Sequence, residues 1–257
     1  MQKNIILIRE LVRREIRSRY LDSLSGLAWL VIQPLMLLLI YGFVFVIIFK
    51  AKIPEADTTG FLPYLAIAFW PWTAFSESVL RSISSVTGNA GLIGKVAIAS
   101  EVFPIATVTA TFLMHCIGYI AILLIMVAFG VDLHWLALLP ALVILILLYA
   151  FALALALLVS SLNVFIRDLE HVLPPLMTLW FFGTPIIYSI SLIPEQYQHW
   201  MRLNPMTGIM DALRGYFLRG EYVPSLSLIV TAVAIMFLLA FAVWFYRRLS
   251  PRFEDFF

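Results

Sequence analysis

The sequence predicts an all-α integral membrane protein built as a single transmembrane domain over residues 1–257. Hydrophobic residues make up 63% of the chain and charged residues only 12%, whereas roughly a quarter of the residues in a soluble domain are charged. The mean hydropathy of +0.99 also indicates a membrane protein. Apolar runs also recur at lengths close to the roughly 20 residues that a helix needs to cross a bilayer. These observations leave no room for a sizeable soluble domain.

The chain begins with an amphipathic segment, residues 1–22, which we expect to form a helix in the membrane interface. At helical spacing the apolar side chains share one side and the basic side chains share the other. The apolar side holds Ile5, Leu7, Ile8, Leu11, Val12 and Ile16, and the basic side includes Arg9, Arg13, Arg14 and Arg17. The basic side would face anionic headgroups or a partner. The alternative is that these basic residues only set the topology.

Six apolar runs predict six transmembrane helices, at residues 27–49, 62–80, 102–131, 135–162, 172–193 and 226–246. The second run is the most polar, and its stretch FWPWTAFSES favours a helix that faces protein or water. Glu77 and Arg81 are four residues apart, so we expect them to pair on one face of this helix. His115 lies near the middle of the third run. We expect it to pack against a neighbouring helix, with a proton relay as the alternative.

The distribution of Lys and Arg predicts the orientation of the chain. Twelve of these residues lie in the N-terminal segment, residues 81–101, residues 163–171 and the C-terminal tail, whereas the alternate connections hold five. Both termini are therefore expected in the cytoplasm. The stretch NVFIRDLEHV, residues 163–172, becomes a cytoplasmic turn, because charges this dense cannot stay in hydrocarbon.

The last external connection is long and retains many apolar residues. We expect its residues 194–221 to form two short helices that break at Asn204–Pro205, because proline is disfavoured inside a helix and tolerated at its first turn. Helices that dip back into a bilayer require protein or a water-filled cavity around their polar ends. The sequence therefore predicts an external re-entrant helical pair at the mouth of a pore.

Several functions are not expected of this chain. The stretch GNAGLIGKV fails as a phosphate-binding loop, because Asn89 stands at a glycine position and Val96 at the Ser/Thr position. No paired-acid or nucleophile constellation suggests an enzyme, and we expect neither a metal nor a cofactor in this chain. The net charge of +2 is too small to suggest nucleic acid.

Aromatic residues concentrate in the second and fifth predicted spans. Interface belts and ordinary helix packing account for most such residues in membrane proteins. Their rings also offer flat apolar faces on which sugar C–H groups can stack weakly, which suits a conduit for a sliding glycan. The candidates for lining such a conduit are Trp70, Trp72, Phe75, Trp180, Phe181 and Tyr188.

Over essentially its whole length the chain resembles the membrane subunit of ABC type-2 exporters for lipid-linked polysaccharide, the family serving O-antigen, capsule and teichoic acid export. The stretches that carry the resemblance are SRYLDSLSGLAWLVIQPL, NAGLIGKVAIASEVFP, LNVFIRDLEHVLPPLM, TPIIYSISLIP and LNPMTGIMDALRG. Their order and spacing together make the resemblance specific.

The resemblance implies roles for three groups of residues. A cytoplasmic coupling helix at residues 88–97, together with the N-terminal helix, would dock on an ATP-binding subunit through Asn89, Leu92, Ile93, Lys95, Arg13 and Arg14. A second basic residue is frequent in this helix, and Gly94 takes its place here. A structural elbow would be formed by Asn163, Arg167 and Asp168, whose opposite charges pair with each other or with a neighbouring helix. The alternative is that these residues contact the substrate directly. An external gate would include Asn204, Pro205, Met206, Asp211 and Arg214.

The resemblance also implies the assembly and its cargo. Two copies of this chain would form a conduit in the bacterial cytoplasmic (inner) membrane, among membrane lipids. Two copies of a separate ABC ATPase would bind ATP and Mg below it. The cargo would be a lipid-pyrophosphate-linked glycan, with O-antigen expected first. The alternatives are an efflux permease for a drug or lipid, and an ion-coupled secondary transporter.

Overall fold

The computed structural model describes residues 2–18, 26–48, 50, 60–93 and 98–256. Within these ranges the secondary structure is helical throughout and contains no β-strand. This confirms the predicted all-α class.

The chain forms ten α-helices over the described residues. These are α1 (Gln2–Ile16), α2 (Gly26–Gly42), α3 (Phe61–Ser82), α4 (Ala90–Ile93), α5 (Val102–Ala128), α6 (Leu138–Asn163), α7 (Leu169–Phe182), α8 (Glu195–Leu203), α9 (Pro205–Arg214) and α10 (Leu226–Leu249). Helix α2 continues as the π-helix Phe43–Ile48, and α9 continues as the π-helix Gly215–Arg219. A 3₁₀ turn, Trp135–Ala137, leads into α6, and another, Ser250–Phe256, follows α10.

Four helical stretches of the described chain are long and apolar enough to cross a bilayer: Val31–Ile48, Val102–Ala128, Trp135–Asn163 and Leu226–Phe256. Helices α3 and α7 occupy the second and fifth predicted spans. Helix α7 has 14 residues, short of the roughly 20 that a straight crossing needs. It ends at Phe182, well before residue 193, because Pro185 disfavours the helical conformation at the residue before it. The count of six spans stays a prediction.

Helix α3 lies at the centre of the bundle. It packs against α2, α5, α6, α7 and α9, and its side chains Leu65, Ile67 and Phe75 are fully buried. In a bilayer, where lipid is as apolar as these side chains, their burial stabilises the bundle through close packing. The polarity of α3 therefore has a structural reason, since this helix faces protein on most sides. Helices α2 and α10, by contrast, expose rows of large apolar side chains such as Leu39 and Phe237.

The connections between helices form a layer at each end of the bundle. The layer that we call the terminus-bearing end contains α1, α4, the turn 164–168 and Ser250–Phe256. Contacts across this layer include the hydrogen bond from Arg14 to Asn89 and the ion pair between Arg247 and Glu101. The layer that we call the opposite end contains residues 129–137 and 183–225. There the backbone N–H of His134 donates to the carbonyl of Phe217 at 3.0 Å.

Candidate functional site

Two of the predicted coupling segments are in direct contact. The Asn89 side chain donates from Nδ2 to the carbonyl of Ser85 at 2.8 Å. Its Oδ1 accepts a hydrogen bond from Arg14 Nη2 at 3.0 Å. The exposed basic face of α1, which includes Arg13, is thus attached to the turn that begins the predicted coupling helix. The sequence analysis expected both segments to dock on the same partner subunit, but it did not predict this hydrogen bond.

The short helix α4 presents one side to solvent and the other to the core. Leu92 is 40% exposed, whereas Ile93 is buried against a core cluster that includes Val102 and Phe103 of α5. Leu92 is therefore accessible from solvent, whereas Ile93 contacts α5. Lys95 and Gly94, with the rest of 94–97, lie outside the described residues.

The apolar side of α1 packs inward along most of its length. Leu7, Ile8 and Leu11 are half-buried against the same core cluster, while Ile5 is exposed. Helix α1 rests on α5. Helix α1 is therefore bonded through Arg14 to Asn89, the residue before α4, and packed on α5.

The C-terminal turn belongs to the terminus-bearing end, as the predicted topology indicated, but its packing against the 164–168 turn was not predicted. Phe253 is fully buried, with its ring 5.5 Å from that of Tyr246 and 5.9 Å from that of Phe165 in the 164–168 turn. Phe256 also lies edge-on to Phe165 at 4.6 Å. Two aromatic residues shortly after a predicted span were the available signal for this contact.

The elbow is held by one of its three predicted residues. Asn163 is buried and donates from Nδ2 to Glu170 Oε1 at 2.8 Å, which joins the end of α6 to the first turn of α7. Arg167 and Asp168 are exposed, and within the described part of the chain neither forms an ion pair. The backbone carbonyl of Asp168 instead accepts from the N–H of His171 at 3.0 Å.

Four of the six aromatic candidates lie together, with Phe151, in what we call the aromatic cluster: Trp72, Phe75, Phe151, Trp180 and Phe181. Trp180 is central, with its ring centroid 6.1 Å from Trp72, 5.4 Å from Phe75 and 5.8 Å from Phe151. All three contacts are edge-on, a preferred geometry for aromatic pairs. The cluster thus joins α3, α6 and α7 in the interior of the bundle.

The six candidates differ in how much of their ring surface is accessible. Trp70 and Phe75 are 1% and 0% exposed, so neither offers a face to a ligand in this conformation. Trp70 also lies apart from the cluster, where its Nε1 donates to the carbonyl of His115 at 3.2 Å. Trp180 and Tyr188 are half-buried and present the most ring surface of the set.

Glu77, Arg81 and His115 form a group of ionisable side chains between α3 and α5, and the sequence predicted only the pairing of Glu77 with Arg81. Glu77 Oε1 accepts from Arg81 Nε, as the spacing indicated, and Glu77 Oε2 lies 2.8 Å from His115 Nε2. A cleft of about 420 Å³ opens beside these three residues, bounded by α2. Glu77 and His115 are far apart in the sequence, so no local pattern could have indicated their contact.

The outer hairpin, our name for α8 and α9, is built around Asn204. This residue caps α9, because its Oδ1 accepts from the N–H of Met206 at 3.1 Å. The same oxygen accepts from Trp180 Nε1 at 3.0 Å, and Nδ2 donates to the carbonyl of Gly183 and to Thr184 Oγ1. Pro205 occupies the first helical position, and Met206 is fully buried. Asn204 therefore joins the outer hairpin to the aromatic cluster.

Arg214 attaches the other end of α9 to the bundle. It is 2% exposed, and its guanidinium lies 3.6 Å from the centroid of the Tyr64 ring. It donates to the carbonyl and hydroxyl oxygens of Tyr64 at 3.0 and 2.9 Å. It also donates to the carbonyls of Pro185 and Ile186 at 2.7 and 2.6 Å. One side chain thus joins α9, α3 and the turn that ends α7.

The charged residues around the end of α9 pair with one another. Arg219 Nη2 lies 3.2 Å from Asp211, and its Nε lies 3.0 Å from Glu221. Burial lowers the pKa of Arg219, but the two carboxylates raise it, and the net direction is upward. Asp211, a predicted gate residue, is therefore part of a three-residue ion-pair group at the opposite end of the bundle.

Comparison with known proteins identifies the family. The chain is 29% identical over 213 residues to the O-antigen export system permease protein RfbA of Myxococcus xanthus, covering 82% of this chain and 80% of the relative. It is 27% identical over 234 residues to RfbA of Klebsiella pneumoniae, covering 88% of each. It is 24% identical over 251 residues to the polysialic acid transport protein KpsM of Escherichia coli, covering 94% and 93%. The ABC-2 type transporter family matches residues 6–218, and the chain therefore belongs to that family of multi-pass membrane proteins.

Proposed function

We propose that this protein is the channel-forming membrane subunit of an ATP-driven exporter that moves a lipid-linked polysaccharide, most directly O-antigen, across the bacterial cytoplasmic membrane. One observation carries the proposal. The relatives named as O-antigen permeases match at least 80% of this chain and of their own length. A match over most of both lengths supports a shared role.

The orientation in this proposal follows from charge. The terminus-bearing end holds most of the Lys and Arg residues and would face the cytoplasm. The opposite end, which carries the outer hairpin, would then face outward. The cytoplasmic face would receive energy and the outer face would release cargo.

Energy would come from two copies of a separate ABC ATPase docked at α4 and α1. Leu92 and the basic face of α1 are exposed there, and the hydrogen bond between Arg14 and Asn89 joins the two docking elements. Ile93 would pass their movement to α5. The coupling requires that the nucleotide state of the partner favours one of two arrangements of the helices.

The conduit would form between two copies of this chain. On its exposed side helix α7 presents Leu176, Leu179 and Phe182, and the half-buried ring of Trp180 borders them, four residues after Leu176. A second copy could cover the exposed side. Rings such as Trp180 bind sugar C–H faces weakly and repeatedly, which would let a long glycan slide without being held.

The test is deletion of the gene in the bacterium that produces the protein, followed by complementation with the wild-type chain. We expect deletion to abolish surface polysaccharide and to cause lipid-linked glycan to accumulate inside the cell, with drug susceptibility unchanged. The opposite pattern, normal surface glycan with raised drug susceptibility, would support an efflux permease and contradict the proposal.

A second experiment tests the ring-stacking role. Trp180→Ala should slow glycan export while the subunit still assembles in the membrane, and Trp180→Phe should retain more export because it keeps an aromatic face. Trp244→Ala is the matched control, since Trp244 is an exposed tryptophan on α10. Equal export by Trp180→Ala and the control would exclude the stacking role.

The contact between Glu77 and His115 favours one alternative, ion-coupled transport, because paired ionisable groups in membrane helices often carry protons. Inverted membrane vesicles distinguish the two mechanisms. Under our proposal, glycan uptake requires ATP and continues after a protonophore collapses the proton gradient. Uptake that stops with the gradient while ATP is plentiful would favour the alternative.

A further inference from the structure

The cleft of about 420 Å³ between α2, α3 and α5, which we call the side cleft, has a wall that is unusually polar for membrane helices. Its polar lining consists of Gln33, Thr73, Ser76, Glu77, Arg81 and His115. The volume lies within the range of roughly 300–1,000 Å³ that is typical of small-molecule sites. The side cleft is therefore large enough to hold a ligand.

The side cleft lies at the depth of the membrane-spanning helices. His115 lies near the middle of α5, which is long enough to cross a bilayer. Gln33 lies near the start of the apolar span Val31–Ile48, close to the terminus-bearing end. The cleft is therefore in the half of the membrane layer that is nearer to the terminus-bearing end.

Several polar side chains of the side cleft are accessible. Arg81 and Glu77 expose 44% and 29% of their side chains, Gln33 is exposed, and Ser76 is half-buried. Polar and ionisable groups are costly in hydrocarbon, and in membrane proteins they face other protein or a water-filled cavity. The side cleft therefore marks a side of the bundle that does not face lipid tails.

His115 holds Glu77 from the interior of the bundle. Its ring is 4% exposed, and its Nε2 lies 2.8 Å from Glu77 Oε2. Its Nδ1 is buried and has no hydrogen-bond partner among the described residues. A protonated ring would bury an N–H at Nδ1 without an acceptor, so the contacts indicate a neutral ring that donates from Nε2–H to Glu77. The exposed part of the Glu77 carboxylate remains available to the cleft.

The accessible groups match the hydroxyl groups of a sugar. A carboxylate accepts hydrogen bonds from hydroxyl groups, a guanidinium donates to hydroxyl oxygens, and the amide of Gln33 can do both. Glu77 and Arg81 pair one to one, so their charges cancel. The ring of Trp29 is 52% exposed and lines the same space, which provides an apolar face beside the polar groups.

The side cleft also adjoins the aromatic cluster. Trp72 lines the cleft, and its ring centroid lies 6.1 Å from that of Trp180 in the cluster. The polar wall and the proposed stacking surface are therefore neighbours on the same bundle.

We infer that the side cleft is a polar section of the conduit, where Gln33, Glu77 and Arg81 bind hydroxyl groups of the glycan. The inference rests on the proposed export of a polysaccharide and adds to it a sugar-binding site. These groups would replace part of the water around a sugar as it enters the membrane layer.

Photo-crosslinking in cells that make the polysaccharide tests this inference. A benzophenone amino acid replaces Gln33 in the full-length chain. The matched control carries it in place of Ile32, which is 41% exposed on the same helix but does not line the cleft. After irradiation the chain is purified and probed for attached glycan with an antiserum against the polysaccharide. We expect at least about tenfold more glycan on the position 33 variant than on the control.

A substitution supplies a second measurement. Gln33→Leu removes the amide and keeps a side chain of similar size. It should slow glycan export about threefold to tenfold, the effect of one lost hydrogen bond, while the amount of the chain in the membrane stays unchanged. Ile32→Leu is its control and should export like the wild type.

The outcomes separate the side cleft from the proposed function. Suppose that the deletion experiment shows export. The sugar site is then refuted if position 33 attaches no glycan, attaches no more than position 32, or attaches a second copy of the chain instead. If surface polysaccharide persists without this chain but glycan is still attached at position 33, the sugar site stands and the exporter proposal fails.

Discussion

Replacing Arg214 by methionine tests how the outer hairpin is attached to the bundle. Methionine keeps much of the length of the side chain and removes the guanidinium. The change deletes four hydrogen bonds, to the carbonyl and hydroxyl of Tyr64 and to the carbonyls of Pro185 and Ile186. It also removes the contact of the cation with the Tyr64 ring. Helix α9 would then lose its polar attachment to α3.

The size of the effect follows from these bonds. A typical intramolecular hydrogen bond contributes about 1 kcal/mol, whereas measured values between membrane helices average about 0.6 kcal/mol. Four bonds therefore correspond to about 2–4 kcal/mol of unfolding free energy. Buried carbonyls left without a donor would push the value toward the upper end of this range.

The assay is thermal unfolding of the purified protein in nanodiscs, followed by tryptophan fluorescence. Arg214→Met should lower the melting temperature by several degrees and should expose residues 204–219 to protease. Arg202→Met is the matched control, because Arg202 lies exposed on α8, and it should unfold like the wild type. Equal melting temperatures for the two variants would refute the proposed attachment.

Three further changes test other parts of the structure. Gly118→Ala places a Cβ 2.6 Å from the Trp70 ring and should destabilise the bundle by about 1–3 kcal/mol. Gly91→Ala is the control and should not lower stability, because the space around Gly91 is open. Equal melting temperatures for these two variants would contradict the packing of Gly118 against Trp70. Asn204→Ala removes the cap of α9 and three further hydrogen bonds, to Trp180, Gly183 and Thr184, and should cost about 2–4 kcal/mol, which denaturant unfolding can check. Leu92→Asp should leave the melting temperature unchanged but reduce co-purification of the ATPase at least tenfold; full recovery of the ATPase would exclude Leu92 from the docking surface.

The helical elements were predictable from the sequence because apolar runs and basic residues are local signals. The runs at 102–131 and 135–162 correspond to α5 and α6, and the Asn204–Pro205 pair lies where α8 ends and α9 begins. The end of α7 was harder to place, since Ile186 and Ile187 continue the apolar pattern after the helix has ended. Hydropathy cannot distinguish an apolar turn that is buried against protein from more of the same helix.

The contacts of the site were less predictable, because they join residues that are distant in the sequence. The pairing of Glu77 with Arg81 was visible from helical spacing, whereas the contact of Glu77 with His115 depends on how α3 packs on α5. The bond between Arg14 and Asn89 and the attachment of Arg214 to Tyr64 have the same origin. Composition selected the candidate residues, and packing determined their partners.

The most direct test of the account is glycan transport by purified components in proteoliposomes. The membrane chain is reconstituted with and without its ATPase, lipid-linked glycan is supplied on the terminus-bearing side, and its arrival on the other side is measured with ATP present. We predict transport and ATP hydrolysis only when both proteins are present. Transport or ATP hydrolysis by the membrane chain alone would contradict the proposal that this chain is a conduit driven by a separate ATPase.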